Sequence, residues 1–180
     1  EFLIEFDIKV KNIVGGWSNI FRITGSNNDY GGKLDRVVAM WLYPGKTKVH
    51  LRTSNSRDYN YGDDNKINYK FDKNVSTRIS IFTKLDSNGD RQLTFIAQQF
   101  DDNQVKIGTA ETMSNNIGKN TDVDSKRLQL VLSDNFYPPT KAELRNFTFS
   151  TATEPTSLNY IRRMAELSYK SIKNTDIYPV

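Results

Sequence analysis

The sequence predicts an all-β protein, an antiparallel sandwich followed by a C-terminal α-helix. Apolar and polar side chains alternate along several segments, a period-2 pattern typical of strands with one buried face. Turn residues such as Pro44-Gly45 and Asn88-Gly89 separate these segments. After Pro155 the period changes, and apolar residues recur at helical spacing, namely Leu158, Ile161, Ala165 and Ile172.

About nine or ten strands follow from this pattern. The first is the clearest, because Phe2, Ile4, Phe6, Ile8 and Val10 share one face. In the second, the same alternation places Trp17, Asn19, Phe21 and Ile23 together. Strands are predicted at 2–10, 17–24, 36–43, 46–53, 75–85 and 91–100, then a short one near Val105 and Ile107, and others at 127–133 and 145–151. We therefore expect one sandwich domain over residues 1–151 and a helical tail over 152–180.

Composition argues against several functional classes. The net charge of +4 comes from scattered basic residues rather than from the stripe that a nucleic-acid binder usually carries. The chain has no cysteine, which excludes disulfides and thiolate chemistry. No run approaches the roughly 18 apolar residues that a membrane-spanning helix needs. The chain opens directly on a strand, so we expect it to be a fragment of a longer protein.

Several segments, taken in order, carry a resemblance to a known class of module. They are residues 4–10, 17–24, 30–31, 35–42, 47–54 and 60–62, with the ending at 130–139 and 142–148. Together they resemble the concanavalin/laminin-G-like jelly rolls of extracellular proteins. The resemblance covers roughly residues 2–151 and implies a jelly-roll sandwich in an extracellular or cell-surface protein that binds a glycan, a protein or no known ligand.

Candidate binding residues lie in two polar, aromatic-containing loops and along one strand. Long loops on a β-scaffold are the usual place for ligand contacts. Lys48, His50 and Arg52 share the polar face of a strand, which is either part of a concave binding face or a solvated surface. The flanking cations are expected to lower the pKa of His50. The predicted ligand-binding residues are Tyr30, Asp35, Arg36, Lys48, His50, Arg52, Asn55, Asp58, Tyr59 and Tyr61.

Calcium is the one metal that the sequence suggests. Oxygen ligands in the loops favour calcium, and the candidates are Asp29, Asp35 and Asp63. Asp86, Asn88 and Asp90 mimic the start of a calcium loop, but Ala97 stands at the twelfth position, so a hairpin turn is favoured. A single histidine without cysteine makes a zinc site or a catalytic triad remote. We expect no other cofactor.

The acidic first strand raises the question of catalysis. Glu5 and Asp7 share a face, as the carboxylates of sandwich glycoside hydrolases do, but Lys9 occupies the position where the acid/base carboxylate should stand. The sequence therefore predicts a non-catalytic extracellular recognition or adhesion module, not an enzyme, that binds a glycan or a protein. Two alternatives stay open: a glycoside hydrolase or lyase on the same fold, and a structural or assembly domain that self-associates through the tail helix.

Overall fold

The protein is a two-sheet antiparallel β-sandwich. The computed structural model describes residues 1–25, 36–55, 57–119, 128–132 and 137–151. Nine strands run through these residues in chain order: β1 (Phe2–Val10), β2 (Ser18–Thr24), β3 (Val38–Leu42), β4 (Val49–Thr53), β5 (Ser76–Leu85), β6 (Arg91–Phe100), β7 (Lys106–Gly118), β8 (Gln129–Val131) and β9 (Ala142–Thr151).

The strands form a five-stranded sheet in the order β7-β6-β5-β1-β9 and a four-stranded sheet in the order β4-β3-β2-β8. The inner faces of the two sheets pack against each other. Phe6 of β1 and Phe21 of β2 meet edge to face, with ring centroids 5.5 Å apart. The core also takes in Tyr69 and Phe71 from the segment between β4 and β5. Burial of these aromatic side chains supplies much of the driving force for folding.

Most strand predictions are confirmed, and the exceptions have physical causes. The strand near Val105 and Ile107 is in fact the 13-residue β7, whose side chains are mostly exposed and carry little apolar signal. The predicted tail helix lies in residues 152–180, outside the described residues, so the helix and the domain boundary stay predictions. Among the described residues, no helix is long and apolar enough to cross a membrane.

A bulge in β2 corrects the predicted faces of that strand. Asn19 pairs with Trp41, whereas Phe21 pairs with Met40, so Ile20 is an extra residue in the ladder. Phe21 and Ile23 face the core as predicted. Asn19 instead shares the face of Trp41, which is the outer face of the four-stranded sheet.

Candidate functional site

The most unusual group of polar side chains lies on the outer face of the four-stranded sheet. His50 and Arg52 project from this face of β4, and Tyr43 follows the end of β3. The turn after Tyr43 is tight: Gly45 has a φ of +64°, and the Lys46 amide donates to the Tyr43 carbonyl oxygen at 3.1 Å. The turn brings the chain straight back into β4, so Tyr43 lies beside His50.

Asp64 joins these three residues from the segment that follows β4. The Arg52 guanidinium donates to both Asp64 oxygens, from Nη1 to Oδ1 at 3.0 Å and from Nη2 to Oδ2 at 2.7 Å. The Tyr43 hydroxyl also donates to Asp64 Oδ2. His50 Nδ1 lies 3.2 Å from the Tyr43 hydroxyl oxygen and 3.2 Å from Asp64 Oδ1. A phenol, an imidazole and a guanidinium therefore converge on one carboxylate.

Aromatic side chains surround this group. The Trp17 ring lies 4.7 Å from both the Tyr43 and the His50 ring centroids. Trp41 lies 6.1 Å from His50 on its other side. The Lys48 ammonium lies over the Tyr43 ring at 5.3 Å. These rings exclude water from the base of the site, which strengthens the electrostatic interactions there.

Gly62 allows the segment that carries Asp64 to lie close against β4. A Cβ atom at this position would come within 2.4 Å of Arg52 Nη1 and 2.4 Å of the Leu51 carbonyl oxygen. On one side the segment is tied to β4 by paired hydrogen bonds between Thr53 and Tyr61, each 2.9 Å. On the other side Ile67 enters the core. The position of Asp64 thus depends on a residue without a side chain.

The environment pushes the pKa values of His50 and Tyr43 apart. Burial, followed by the positive charge of Arg52, lowers the pKa of His50 from 6.5 to about 4, although Asp64 opposes this shift. Burial also raises the pKa of Tyr43, and its hydrogen bond to Asp64 raises it further. At neutral pH the imidazole is therefore uncharged and the phenol keeps its proton. The direction predicted for His50 is confirmed, but burial is a larger cause than the flanking cations.

Asp64 stays ionised despite partial burial. Burial by itself would raise the pKa of this carboxyl, but hydrogen bonds from Arg52 and Tyr43 outweigh it and lower the pKa from 3.8 to about 2. The Asp64 side chain is 25% exposed, compared with 17% for His50 and 10% for Arg52. Asp64 is therefore on the solvent side of the group.

The other predicted binding residues that the structure describes lie around this group or take part in turns. The Arg36 guanidinium lies over the Trp41 ring at 5.1 Å and donates to Asn60. Asn55 accepts from the backbone amides of Arg57 and Asp58 at 2.8 and 2.7 Å, which makes it a turn-forming residue. Asp58 in turn accepts from the Asn60 amide at 2.8 Å, and Tyr59 is exposed.

A cavity of about 680 Å³ opens beside the loop that follows β4. Asn55, Asp58 and Tyr61 line it from the loop, and Asn116 and Lys119 line it from the end of β7. The Tyr61 hydroxyl donates to the Asn116 carbonyl oxygen at 3.3 Å, so the loop is attached to the five-stranded sheet here. Tyr61 precedes Gly62 and Asp64 by one and three residues, so the cavity lies beside the segment that carries Asp64.

The calcium prediction is not decided by the structure. Asp29 and Asp35 lie outside the described residues, as does Tyr30. Asp63 Oδ1 accepts from the backbone amides of Asn65 and Lys66 at 2.9 and 3.3 Å and so takes part in a local turn. Within residues 1–25, 36–55, 57–119, 128–132 and 137–151, no three His, Cys, Asp or Glu side chains are grouped to hold a metal ion.

No protein-family model and no curated protein sequence matches the chain. Two solved structures are similar to it. The chain is similar to the crystal structure of the marine PL-14 alginate lyase from Aplysia kurodai. The TM-score is 0.51 at 13% sequence identity, over 84% of this chain and 69% of that one. An alginate lyase from Alteromonas sp. 272 has a TM-score of 0.33 at 8% identity, over 92% and 64% of the two chains, which is too low for an argument.

This likeness shows the sandwich fold and corrects one prediction. The sequence predicts a module that is not an enzyme, and this prediction is wrong, because the solved structure that shares the fold is that of an enzyme. The sequence argument against catalysis rested on Glu5, Asp7 and Lys9, which lie on the outer face of the five-stranded sheet, and on the single histidine, which it considered only as a zinc ligand or triad member.

Proposed function

We propose that this protein is a polysaccharide lyase that cleaves a uronate polymer by β-elimination. One observation carries the proposal: a neutral imidazole, a protonated phenol and a guanidinium meet within hydrogen-bonding distance around a carboxylate. The fold supports it, because the chain shares its sandwich with an alginate lyase, and alginate is a uronate polymer. We also propose that the protein works outside the cell or at its surface, where such polymers occur, and that its sandwich is a jelly roll.

The chemistry of β-elimination explains why these three groups fit. A base removes the proton on the carbon next to the carboxyl group, and the electron pair of that C–H bond forms a carbon–carbon double bond. The bond from the adjacent carbon to the glycosidic oxygen breaks, and that oxygen takes up a proton. Negative charge builds up on the carboxylate while the proton is removed, so a cation beside it stabilises the transition state.

Each group has the protonation state that its role requires. His50 is the base, because its lowered pKa keeps the imidazole uncharged at neutral pH, with a nitrogen lone pair that can accept a proton. Tyr43 is the acid, because its raised pKa keeps a proton available for the leaving oxygen. Arg52 binds the carboxylate of the sugar and stabilises the developing charge. Trp17, which is half-buried beside His50, provides aromatic surface against which a sugar ring can pack.

The test is to incubate the protein with alginate, with polygalacturonate and with a neutral β-glucan. We expect at least one uronate polymer to give a product with a conjugated double bond, detected by its ultraviolet absorbance, and the glucan to give none. His50→Gln should abolish the product. New reducing ends without a double bond would indicate a hydrolase instead, and the absence of both from every polymer would contradict the proposal.

A further inference from the structure

Asp64 occupies the position that a ligand carboxylate would take in the site described above. We propose that Tyr43, His50 and Arg52 form a carboxylate receptor and that Asp64 is its internal occupant, which a ligand carboxylate must displace. The identity of the natural ligand, a uronate, rests on the proposed function. The existence of the receptor does not, because it follows from the contacts alone.

All three receptor side chains bind the same carboxylate. Arg52 supplies two parallel hydrogen bonds, at 3.0 and 2.7 Å, which is the geometry by which a guanidinium recognises a carboxylate. Tyr43 donates a third hydrogen bond, and His50 lies at 3.2 Å. Nothing in this arrangement requires the carboxylate to belong to the protein itself, so a ligand carboxylate could make the same contacts.

The receptor residues are held by the sheet or by the turn beside it, whereas Asp64 is not. His50 and Arg52 belong to β4, which pairs with β3 over its whole length, and the Tyr43 amide donates to the Lys48 carbonyl oxygen at 3.1 Å. Asp64 lies between the Thr53–Tyr61 pairing and the buried Ile67, and its side chain is more exposed than those of His50 and Arg52. A change of its side-chain torsions would move the carboxylate into solvent and leave the receptor in place.

Charge makes the two carboxylates competitors. At neutral pH the receptor carries one positive charge, that of Arg52, because His50 and Tyr43 are neutral. Two carboxylates beside a single guanidinium would repel each other at close range. A ligand carboxylate therefore binds only when the contact between Asp64 and Arg52 breaks. The free energy of that contact is lost on binding, which weakens the affinity for the ligand. Without Asp64, the mostly buried Arg52 would lack this partner and bind a free carboxylate more tightly.

The test compares the unaltered 180-residue chain with its Asp64→Ala variant, with glucuronate as the probe and glucose as the uncharged control. We expect glucuronate to bind the variant at least about tenfold more tightly by titration calorimetry, the ratio that one charge-assisted hydrogen bond represents. Glucuronate should also raise the melting midpoint of the variant more than that of the unaltered protein. Glu143→Ala removes a carboxylate of the five-stranded sheet that pairs with Lys11 at 2.8 Å, so the affinity of that control variant for glucuronate should equal that of the unaltered protein.

Equal affinities in the unaltered protein and the Asp64→Ala variant would overturn the proposal, as would tighter binding that persists in the Asp64→Ala, Arg52→Met double variant. Asp64→Asn keeps the shape of the side chain and replaces the alanine variant if that one fails to fold. If both variants are unfolded and glucuronate restores neither, Asp64 is a structural residue and the proposal is wrong. None of these readouts needs turnover, so a protein without lyase activity can still contain the receptor.

Discussion

The outer face of each sheet carries a row of charged or titratable side chains, but the two rows differ in how exposed their partners are. On the five-stranded sheet the row is Glu5, Asp7 and Lys9 of β1, and on the four-stranded sheet it runs from Lys48 to Arg52. Asp7 accepts from Arg78 at 2.8 Å, but the Arg78 side chain is 45% exposed. Lys9 pairs with Asp102 at 2.8 Å, and Asp102 is 89% exposed. The two rows are themselves covered to a similar degree, since Asp7 is 13% and Arg52 10% exposed, but Asp64, the partner of Arg52, is only 25% exposed.

The difference shows that alternation in a strand does not decide what its polar face does. Both rows alternate with core residues in the same way. On the four-stranded sheet Trp17 and Asp64 lie against the row, and burial is the largest cause of the lowered pKa of His50. On the five-stranded sheet the pKa of Arg78 is raised chiefly by its hydrogen bond to Asp7.

The largest expected effect comes from exchanging one arginine on each face. Arg52→Met removes the cation beside the substrate carboxylate and should lower the initial rate on a uronate polymer by about 10²–10³-fold. Arg78→Met, the matched change on the five-stranded sheet, should leave the rate unchanged. The comparison is an absorbance assay of both variants at equal concentration, and equal losses of rate would place the site elsewhere.

The second expected effect is a loss of stability at acidic pH, caused by protonation of His50. The pKa of His50 is about 4 in the folded state and near 6.5 in the unfolded chain, so the unfolded chain binds a proton more readily between these values. The contribution of His50 to the free energy of unfolding should therefore be fully present above pH 6.5. It should fall as the pH drops towards 4, by up to about 3 kcal/mol.

Denaturant unfolding at several pH values checks this prediction, and the only histidine of the chain is His50, which removes other imidazoles from the comparison. The His50→Gln variant should lose this part of the pH dependence. An identical slope in both proteins between pH 6.5 and 4 would refute the assignment.

A smaller loss of stability is expected at Gly62. The added Cβ of Gly62→Ala would meet Arg52 and a backbone carbonyl oxygen at 2.4 Å, so the segment or β4 must shift, at a cost of about 1–3 kcal/mol. Gly16→Ala is the matched control, since nothing lies within 4 Å of its added Cβ. Chemical denaturation of both variants measures the difference, and similar values for the two glycines would argue against close packing at Gly62.

The smallest effect is expected at the exposed ion pair of the five-stranded sheet. Lys9→Met removes the partner of Asp102, whose side chain is nearly all in solvent. Exposed pairs of this kind contribute little, because water and salt screen them. The melting midpoint should therefore not change measurably, in low or in moderate salt. A clear drop would mean that the outer face of the five-stranded sheet is less open than these exposures indicate.

The fold could be predicted where apolar alternation and turn chemistry agree. β1 begins and ends at the predicted residues, and β5 and β6 do so within one residue, because Asn88-Gly89 fixes the hairpin between them. Gly89 indeed has a φ of +77°. The length of β7 could not be predicted, since an edge strand with exposed polar side chains lacks the period-2 signal.

The candidate site could be predicted only in part. His50 and Arg52 follow from their places in one strand, but Asp64 reaches them through a loop whose path depends on tertiary packing around Gly62. Alternation groups Trp17 and Asn19 with Phe21 and Ile23, but a bulge at Ile20, which no sequence pattern signals, puts the residues before it on the other face. Contacts that depend on the path of a loop, as for Asp64, or on a bulge, as for Trp17, therefore cannot be predicted from strand periodicity.

The position of the tryptophans allows the site to be followed by intrinsic fluorescence. The chain contains two, and the indole rings of Trp17 and Trp41 lie 4.7 and 6.1 Å from the His50 ring. A protonated imidazole quenches indole emission at such short range, so the intrinsic fluorescence of the protein should dim as His50 gains its proton. An acid titration of that emission would read the charge of a single side chain without any label, and displacement of Asp64 by a ligand should alter the same signal.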